Sequence, residues 1–200
     1  LNTGGMGTVA PNPYYTPEIA DLCMKTIFVP TIEAMKKEGR LFRGCLYFGL
    51  MLTPAGPRVI EYNCRFGDPE TQVVLPLLES DLLTVMMATA EGRLSEVPVK
   101  FSDKSACCVI IASKGYPVKY ESGCPLMLPT DGEDGFIYVA GAKKTESGLV
   151  SAGGRVLGVT ATADSLREAV DAAYAKAAKV KFDNGFYRKD IGARALAAKK

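Results

Sequence analysis

The stretch from Val59 to Glu70 restricts the fold more than any other part of this chain. Arg58 to Asn63 reads as a short strand, and Leu46 to Leu52 upstream of it reads as a fully buried one. Between them Thr53-Pro54-Ala55-Gly56-Pro57 is turn chemistry that returns the chain antiparallel, so the two runs form a hairpin. Alternate side chains of a strand point to opposite faces, which puts Glu61 and Asn63 on one side and Ile60 and Tyr62 towards the core. Gly67-Asp68-Pro69-Glu70 then turns the backbone into a helix.

That block also carries chemistry. A carboxylate and an amide oxygen two residues apart offer hard ligands to Mg²⁺, which takes few protein ligands and completes its shell with phosphate oxygens and water. The guanidinium fork of Arg65 suits phosphate or acyl-phosphate oxygens, and Asp68 and Glu70 place two more carboxylates at the helix start. The same residues also fit a solvated strand end with Arg65 paired to Asp68.

Composition narrows the chemistry further. The chain has no histidine, which removes Ser-His and Cys-His nucleophile systems and most zinc sites. What remains is carboxylates, Lys, Arg and a metal. A net charge of +2, with both signs mixed along the chain, lacks the basic stripe of a nucleic-acid binder, so no nucleic-acid partner is expected. No apolar run reaches membrane-spanning length and the first residues lack signal-peptide features, so no membrane partner is expected and the context reads as cytosolic. The cysteines 23, 45, 64, 107, 108 and 124 lack C-x-x-C spacing and read as buried free thiols.

Taken in order, the chain opens on the glycine-rich loop Asn2-Thr3-Gly4-Gly5-Met6-Gly7, whose backbone N–H groups suit an anionic ligand or, equally, a tight turn. Ala10 to Pro13 reads as a link. Thr16-Pro17-Glu18 starts a helix running to about Glu38, with Ile19, Leu22, Cys23, Thr26 and Ile27 as its buried stripe, Pro30 dividing it and Gly39 ending it. Pro69 to Glu91 is helical with a break near Pro76 and a restart at Ser80-Asp81, where Leu82, Leu83, Val85 and Met86 supply core. A subdomain boundary falls near residue 98. Beyond it Ala106 to Ala112, Phe136 to Ala142 and Arg155 to Ala161 read as strands, with a turn at Gly153-Gly154. Asp164-Ser165 caps a helix to about Val180, with Glu168 completing a capping box. Arg188 and Lys189 read as a phosphate-holding pair or as an ordinary solvated one.

Five segments together resemble the glycinamide ribonucleotide synthetase family of the ATP-grasp superfamily. They are Asn2 to Gly7, Glu61 to Glu70, Gly115-Tyr116-Pro117, Gly153-Gly154-Arg155-Val156-Leu157 and Tyr187-Arg188-Lys189-Asp190-Ile191-Gly192, in that order. The resemblance implies an α+β fold: the carboxy-terminal part of an ATP-grasp fold, largely antiparallel sheet with helices, over residues 1–97, then a small mixed α/β carboxy-terminal domain over 98–200. It implies ATP-dependent ligation of glycine to 5-phosphoribosylamine through a glycyl phosphate, with ATP and Mg²⁺ or Mn²⁺ as cofactors, in purine synthesis. Carried over by position, Glu61 and Asn63 match metal ligands and Arg65 a catalytic residue beside the transferring phosphoryl group. Asn2, Thr3, Gly4, Gly5 and Met6 match a loop lining the substrate side, with Asp68 and Glu70 orienting substrate. Arg188 and Lys189 resemble a pair that related enzymes place on a ribose 5-phosphate, and Arg155 is a further candidate for that group.

Family members carry a substrate domain, a mobile lid and most adenine-binding residues ahead of the matched segment. The resemblance therefore implies that the amino-terminal half of the same enzyme is a partner and that this part is inactive alone. Two other readings stand beside it. One is another ATP-grasp carboxylate–amine ligase, although those lack the Asn63 to Glu70 block. The other is a non-catalytic phosphoribosyl-binding or assembly module.

Overall fold

The computed structural model describes residues 2–129 and 135–198. In chain order the first elements are strand β1 (Gly7–Ala10), helices α1 (Pro17–Cys23) and α2 (Val29–Lys37), and strands β2 (Tyr47–Thr53) and β3 (Gly56–Asn63). Helices α3 (Thr71–Val74) and α4 (Leu82–Glu91) follow, then strands β4 (Ser105–Ser113), β5 (Pro125–Leu126), β6 (Phe136–Val139), β7 (Ala142–Thr145), β8 (Gly148–Ser151) and β9 (Arg155–Ala163). Helix α5 (Leu166–Lys179), strand β10 (Gly185–Phe186) and helix α6 (Ala193–Leu196) complete the described chain. These elements fall into two units, one from Leu1–Asn12, Asp68–Leu77 and Ser102–Lys200, the other from Pro13–Gly67 and Leu78–Phe101. All strand pairs are antiparallel.

The first unit is organised around β4, every residue of which is buried. It pairs with β9 along one edge and with β1 and β10 along the other, while β6 extends the sheet beyond β9. The continuous apolar run follows from burial on both faces. Cys107, Val109 and Ile111 pack in the cluster that includes Ala169, Val170, Ala173 and Ala177 of α5, whose alanines let the helix approach closely. Ala106, Cys108, Ile110 and Ala112 pack with Met6, Val73 and Leu77. Helix α5 begins as expected: Ser165 accepts the Glu168 N–H at 3.3 Å and the Glu168 carboxylate accepts the Ser165 N–H at 3.1 Å. Two expectations change in this unit. The run Phe136 to Ala142 is two strands, β6 in the large sheet and β7 in a three-stranded sheet with β8 and β5, because the chain breaks at Ala140-Gly141. The opening loop also ends earlier than expected, since Gly7–Ala10 is strand β1 and only Pro11 onward remains a link.

The second unit holds the hairpin β2–β3 with helices α1, α2 and α4. Thr16 caps α1, accepting the Ile19 N–H at 3.4 Å. Pro30 acts as expected: it has no N–H for the preceding turn, and the chain opens into a π-helical turn over Met24–Phe28 in which the Val29 N–H reaches Met24 O. Helix α4 restarts at Asp81, whose Oδ1 accepts the Thr84 N–H at 2.7 Å, and Gly92 ends it in the left-handed region.

Burial in this unit is much lower than the sequence suggests. Leu46 to Leu52 is not a fully buried strand, since Met51 is 54% and Leu52 41% exposed. Ile60 is 62% exposed and Tyr62 51%, although both were expected in the core. Leu83 and Met86 on α4 and Leu22 and Thr26 on the first helical stretch are also exposed. The physical reason is the layer count: a two-stranded ribbon has too little area to bury both faces of its own apolar residues. No helix among the described residues is long and apolar enough to cross a membrane.

Candidate functional site

The candidate metal pair lies at the end of β3, in the second unit. Gly49, Phe48 and Tyr47 pair with Glu61, Tyr62 and Asn63, but Leu50 pairs with Val59, so Ile60 has no partner and forms a bulge beside Glu61. Beyond the bulge Glu61 and Asn63 share one face, with the Asn63 Nδ2 donating to Glu61 Oε1 at 3.1 Å. Opposite Glu61 stands Gly49, where an added Cβ would lie 2.8 Å from Glu61 Cγ. The strand pairing therefore keeps a glycine-sized recess beside the carboxylate.

A carboxylate and an amide side by side are the hard oxygen donors that Mg²⁺ or Mn²⁺ takes. Among the described residues no group of three or more His, Cys, Asp or Glu could hold a metal. Glu61 and Asn63 could supply two oxygen ligands to an ion that completes its shell with phosphate and water. Arg65 is exposed, and its Nη1 donates to Phe66 O at 2.8 Å.

A second group of candidate residues converges within the first unit. Arg155, at the start of β9, donates from Nη1 to Gly5 O at 3.1 Å and to Asp68 O at 2.9 Å, and from Nη2 to Asp68 Oδ2 at 2.9 Å. The other Asp68 oxygen, Oδ1, accepts from Gln72 Nε2 at 2.9 Å. The Gly4 N–H donates to the Tyr116 hydroxyl at 3.1 Å. Two of the loop glycines have steric reasons. A Cβ on Gly5 would overlap the Pro69 ring, and one on Gly4 would come within 3.0 Å of Arg155 Cζ. Met6 belongs to the core, 8% exposed, and its carbonyl accepts the Ile110 N–H at 3.1 Å, so it anchors the loop while Asn2 and Thr3 stay exposed.

Arg188 and Lys189 are exposed near the end of the chain. The Arg188 fork is bidentate to Asp190, through Nε at 2.8 Å and Nη2 at 2.6 Å. That pairing raises the Arg188 pKa and lowers that of Asp190. The Arg188 carbonyl accepts from the Tyr174 hydroxyl, which in turn accepts the Ile191 N–H at 2.9 Å, so the backbone here is tied to α5. Burial pushes the Cys107 thiol up to about 12 and, as the main cause, the Cys108 thiol up to about 11, which disfavours their thiolates. All six cysteines are free, as expected, but only Cys23, Cys107 and Cys108 are buried; Cys45 and Cys124 are half-buried and Cys64 is exposed.

Sequence reasoning assigned no part to Tyr116, Gln72 or Gly49. Gln72 was legible in principle, four residues after Asp68 at a helix start. Tyr116 was not, because its partner Gly4 is 112 residues away, and Gly49 was not, because the bulge at Ile60 sets which residue of β2 faces Glu61.

Residues 1–71 match the family model described as phosphoribosylglycinamide synthetase, ATP-grasp (A) domain, and residues 106–194 the one described as phosphoribosylglycinamide synthetase, C domain. The phosphoribosylamine–glycine ligase of Caldanaerobacter subterraneus subsp. tengcongensis is 46% identical over 192 residues, which cover 96% of this chain and 46% of that protein. The crystal structure of the phosphoribosylamine–glycine ligase of Thermotoga maritima superposes with a TM-score of 0.85 at 37% identity, over 96% of this chain and 47% of that one. The biotin carboxylase domain of the Hydrogenobacter thermophilus 2-oxoglutarate carboxylase, solved with MgADP, shares the fold at a TM-score of 0.64 and 16% identity, over 92% of this chain and 43% of that one. The chain spans about half the length of the curated relatives it matches.

Proposed function

The chain belongs to the phosphoribosylglycinamide synthetase family, and from that premise we propose that it is part of an ATP-dependent carbon–nitrogen ligase joining glycine to 5-phosphoribosylamine. The observation that carries the reading is the pairing of Glu61 and Asn63 on one face of β3 in a chain of this family. In the reaction a glycine carboxylate oxygen takes the γ-phosphoryl group of ATP, releasing ADP. The amine of 5-phosphoribosylamine then attacks the acyl carbon, phosphate leaves with the bonding pair, and the amine gives up a proton.

Within that reaction Glu61 and Asn63 would hold Mg²⁺ or Mn²⁺. A bound divalent cation supplies charge neutralisation on the phosphates. Arg65, exposed and now donating to the Phe66 carbonyl, would offer its guanidinium to the transferring phosphoryl group and stabilise developing charge there. In this reading the loop residues Asn2, Thr3, Gly4 and Gly5 line the substrate side and Glu70 orients the substrate, while Asp68, whose carboxylate is taken up by Arg155 and Gln72, would act only through the loop it braces. Lys189 offers the ribose 5-phosphate a point charge, and Arg188 a fork once it leaves Asp190. Arg155 is set apart by its engagement with Gly5 and Asp68.

In this reading residues 1–97 are the end of the ATP-grasp domain and 98–200 the carboxy-terminal domain of a cytosolic enzyme; the family models match 1–71 and 106–194. The amino-terminal half of the ligase is the partner, and the exposed apolar residues of the second unit, Met51, Leu83 and Met86 among them, give such a partner a surface to cover.

The test is ADP release dependent on glycine and 5-phosphoribosylamine, by this chain alone and mixed with the amino-terminal half of a family ligase. Activity only in the mixture, lost with Glu61→Gln, is the expected result. If the two halves bind each other yet release no ADP, the reading passes to a non-catalytic phosphoribosyl-binding module.

A further inference from the structure

Both terminal nitrogens of Arg155 are engaged by protein. Its Nη1 is shared between Gly5 O and Asp68 O, its Nη2 is on Asp68 Oδ2, and the side chain is 23% exposed. Among the described residues, Arg65 and Arg188 are engaged only by neighbours one and two residues on and are exposed, whereas the Arg155 fork is directed at two backbone carbonyls and a carboxylate 87 and 150 residues away, so it ties distant segments of the chain together. The preceding residue takes part in the same construction. A Cβ on Gly154 would overlap the Tyr116 ring, so the glycine lets that ring lie on the backbone, and its hydroxyl accepts the Gly4 N–H at 3.1 Å. Consecutive residues of one corner thus hold consecutive residues of the loop: Gly154, through Tyr116, holds Gly4, and Arg155 holds Gly5. The corner lies in the part matched by the C-domain model, and the loop and Asp68 in the part matched by the ATP-grasp model.

We infer that Arg155 is a positioning residue, which fixes the backbone of the Asn2 to Gly5 loop against the Asp68 turn and does not itself contact substrate. The inference rests on the reading of that loop as the substrate side of the ligase. A planar fork is needed because the three acceptors lie at fixed, different directions; the single point charge of lysine cannot serve all of them. Met6 anchors one end of the loop in the core, and Gly4 and Gly5 have no side chain of their own, so at those two residues the loop is held through this corner.

The test uses Arg155→Ala, Arg155→Lys and Tyr116→Phe, the last removing only a hydroxyl and leaving the arginine in place. Amide hydrogen exchange on this chain should accelerate about tenfold at Gly4 and Gly5 in all three, with the amides of α5 unchanged. In the mixture with the amino-terminal half, kcat should fall about tenfold while KM for the amine substrate stays within about threefold, and lysine should not restore it. Unchanged exchange at Gly4 and Gly5 in Arg155→Ala would overturn the clamp, whatever Tyr116→Phe does to the Gly4 amide it bonds directly. A rise confined to KM, restored by lysine, would instead make Arg155 a direct substrate contact. If the unaltered mixture releases no ADP, the ligase reading fails and takes the catalytic part with it, while the exchange rates decide the clamp separately.

Discussion

The two units use similar residues to different ends. In the first, β4 and β9 are closed between α5 on one face and Met6, Val73 and Leu77 on the other, and residues such as Val109, Val156 and Leu157 have no exposed surface. In the second, an equally apolar hairpin and α4 leave Met51, Ile60, Leu83, Met86 and Met87 at least half exposed, and Cys23 and Ala88 are its fully buried apolar side chains. Hydrophobic content alone therefore does not make a core; what decides is whether a second layer is present to receive each face. The candidate metal pair lies on the open ribbon and the Arg155 clamp on the closed unit. That division suits an ion site completed by a ligand and a loop held by the fold.

Thiol chemistry breaks the comparison most sharply. At pH 8 a thiol at about 12 is about one part in ten thousand thiolate. Cys64, exposed in the second unit, should therefore react with a disulfide reagent orders of magnitude faster than Cys107 or Cys108, which should react only on unfolding. Mass spectrometry of a labelling time course reads this, and early labelling of Cys107 would show that the first unit opens.

Next in size is core truncation. Leu157→Ala in β9 removes a fully buried side chain and should cost about 2–5 kcal/mol in urea unfolding of the first unit. Leu83→Ala, 66% exposed on α4, should cost less than about 0.5 kcal/mol in this chain. With the amino-terminal half present the second figure should grow, and no growth would argue that α4 stays uncovered.

A smaller effect is expected at the recess opposite Glu61. Gly49→Ala places a methyl where Glu61 Cγ now sits close by and should weaken Mn²⁺ binding about tenfold, measured by Mn²⁺ relaxation titration, with the unfolding midpoint nearly unchanged. Equal Mn²⁺ affinity in the variant would remove Glu61 from the ion site.

The smallest effect is a pH dependence of α4. Hydrogen bonds from Thr84 hold Asp81 below its ordinary value of 3.8. Because the folded pKa is the lower one, this cap contributes fully above 3.8 and is lost as pH falls through the folded value. Protection of the first amides of α4, taken relative to their intrinsic exchange rate at each pH, should fall below about pH 4 in the native chain and stay constant there in Asp81→Asn.

The sequence by itself determined the local elements whose causes are local. Thr16, Asp81 and Ser165 are caps because their side chains reach an N–H three residues on; Pro30 disturbs its helix because it lacks an N–H; the hairpin turns where Thr53 to Pro57 allow. It also determined that Glu61 and Asn63 share a face, since strand alternation over two residues needs no partner. Only the tertiary structure decided which apolar faces are covered, that Ile60 bulges out of register, that Phe136 to Ala142 divides between two sheets, and that Asp68 belongs to Arg155. Burial, register and ion pairing depend on what lies across from a residue, often more than a hundred positions away for Gly4 and Tyr116 or Gly5 and Arg155, and local chemistry carries no record of that partner.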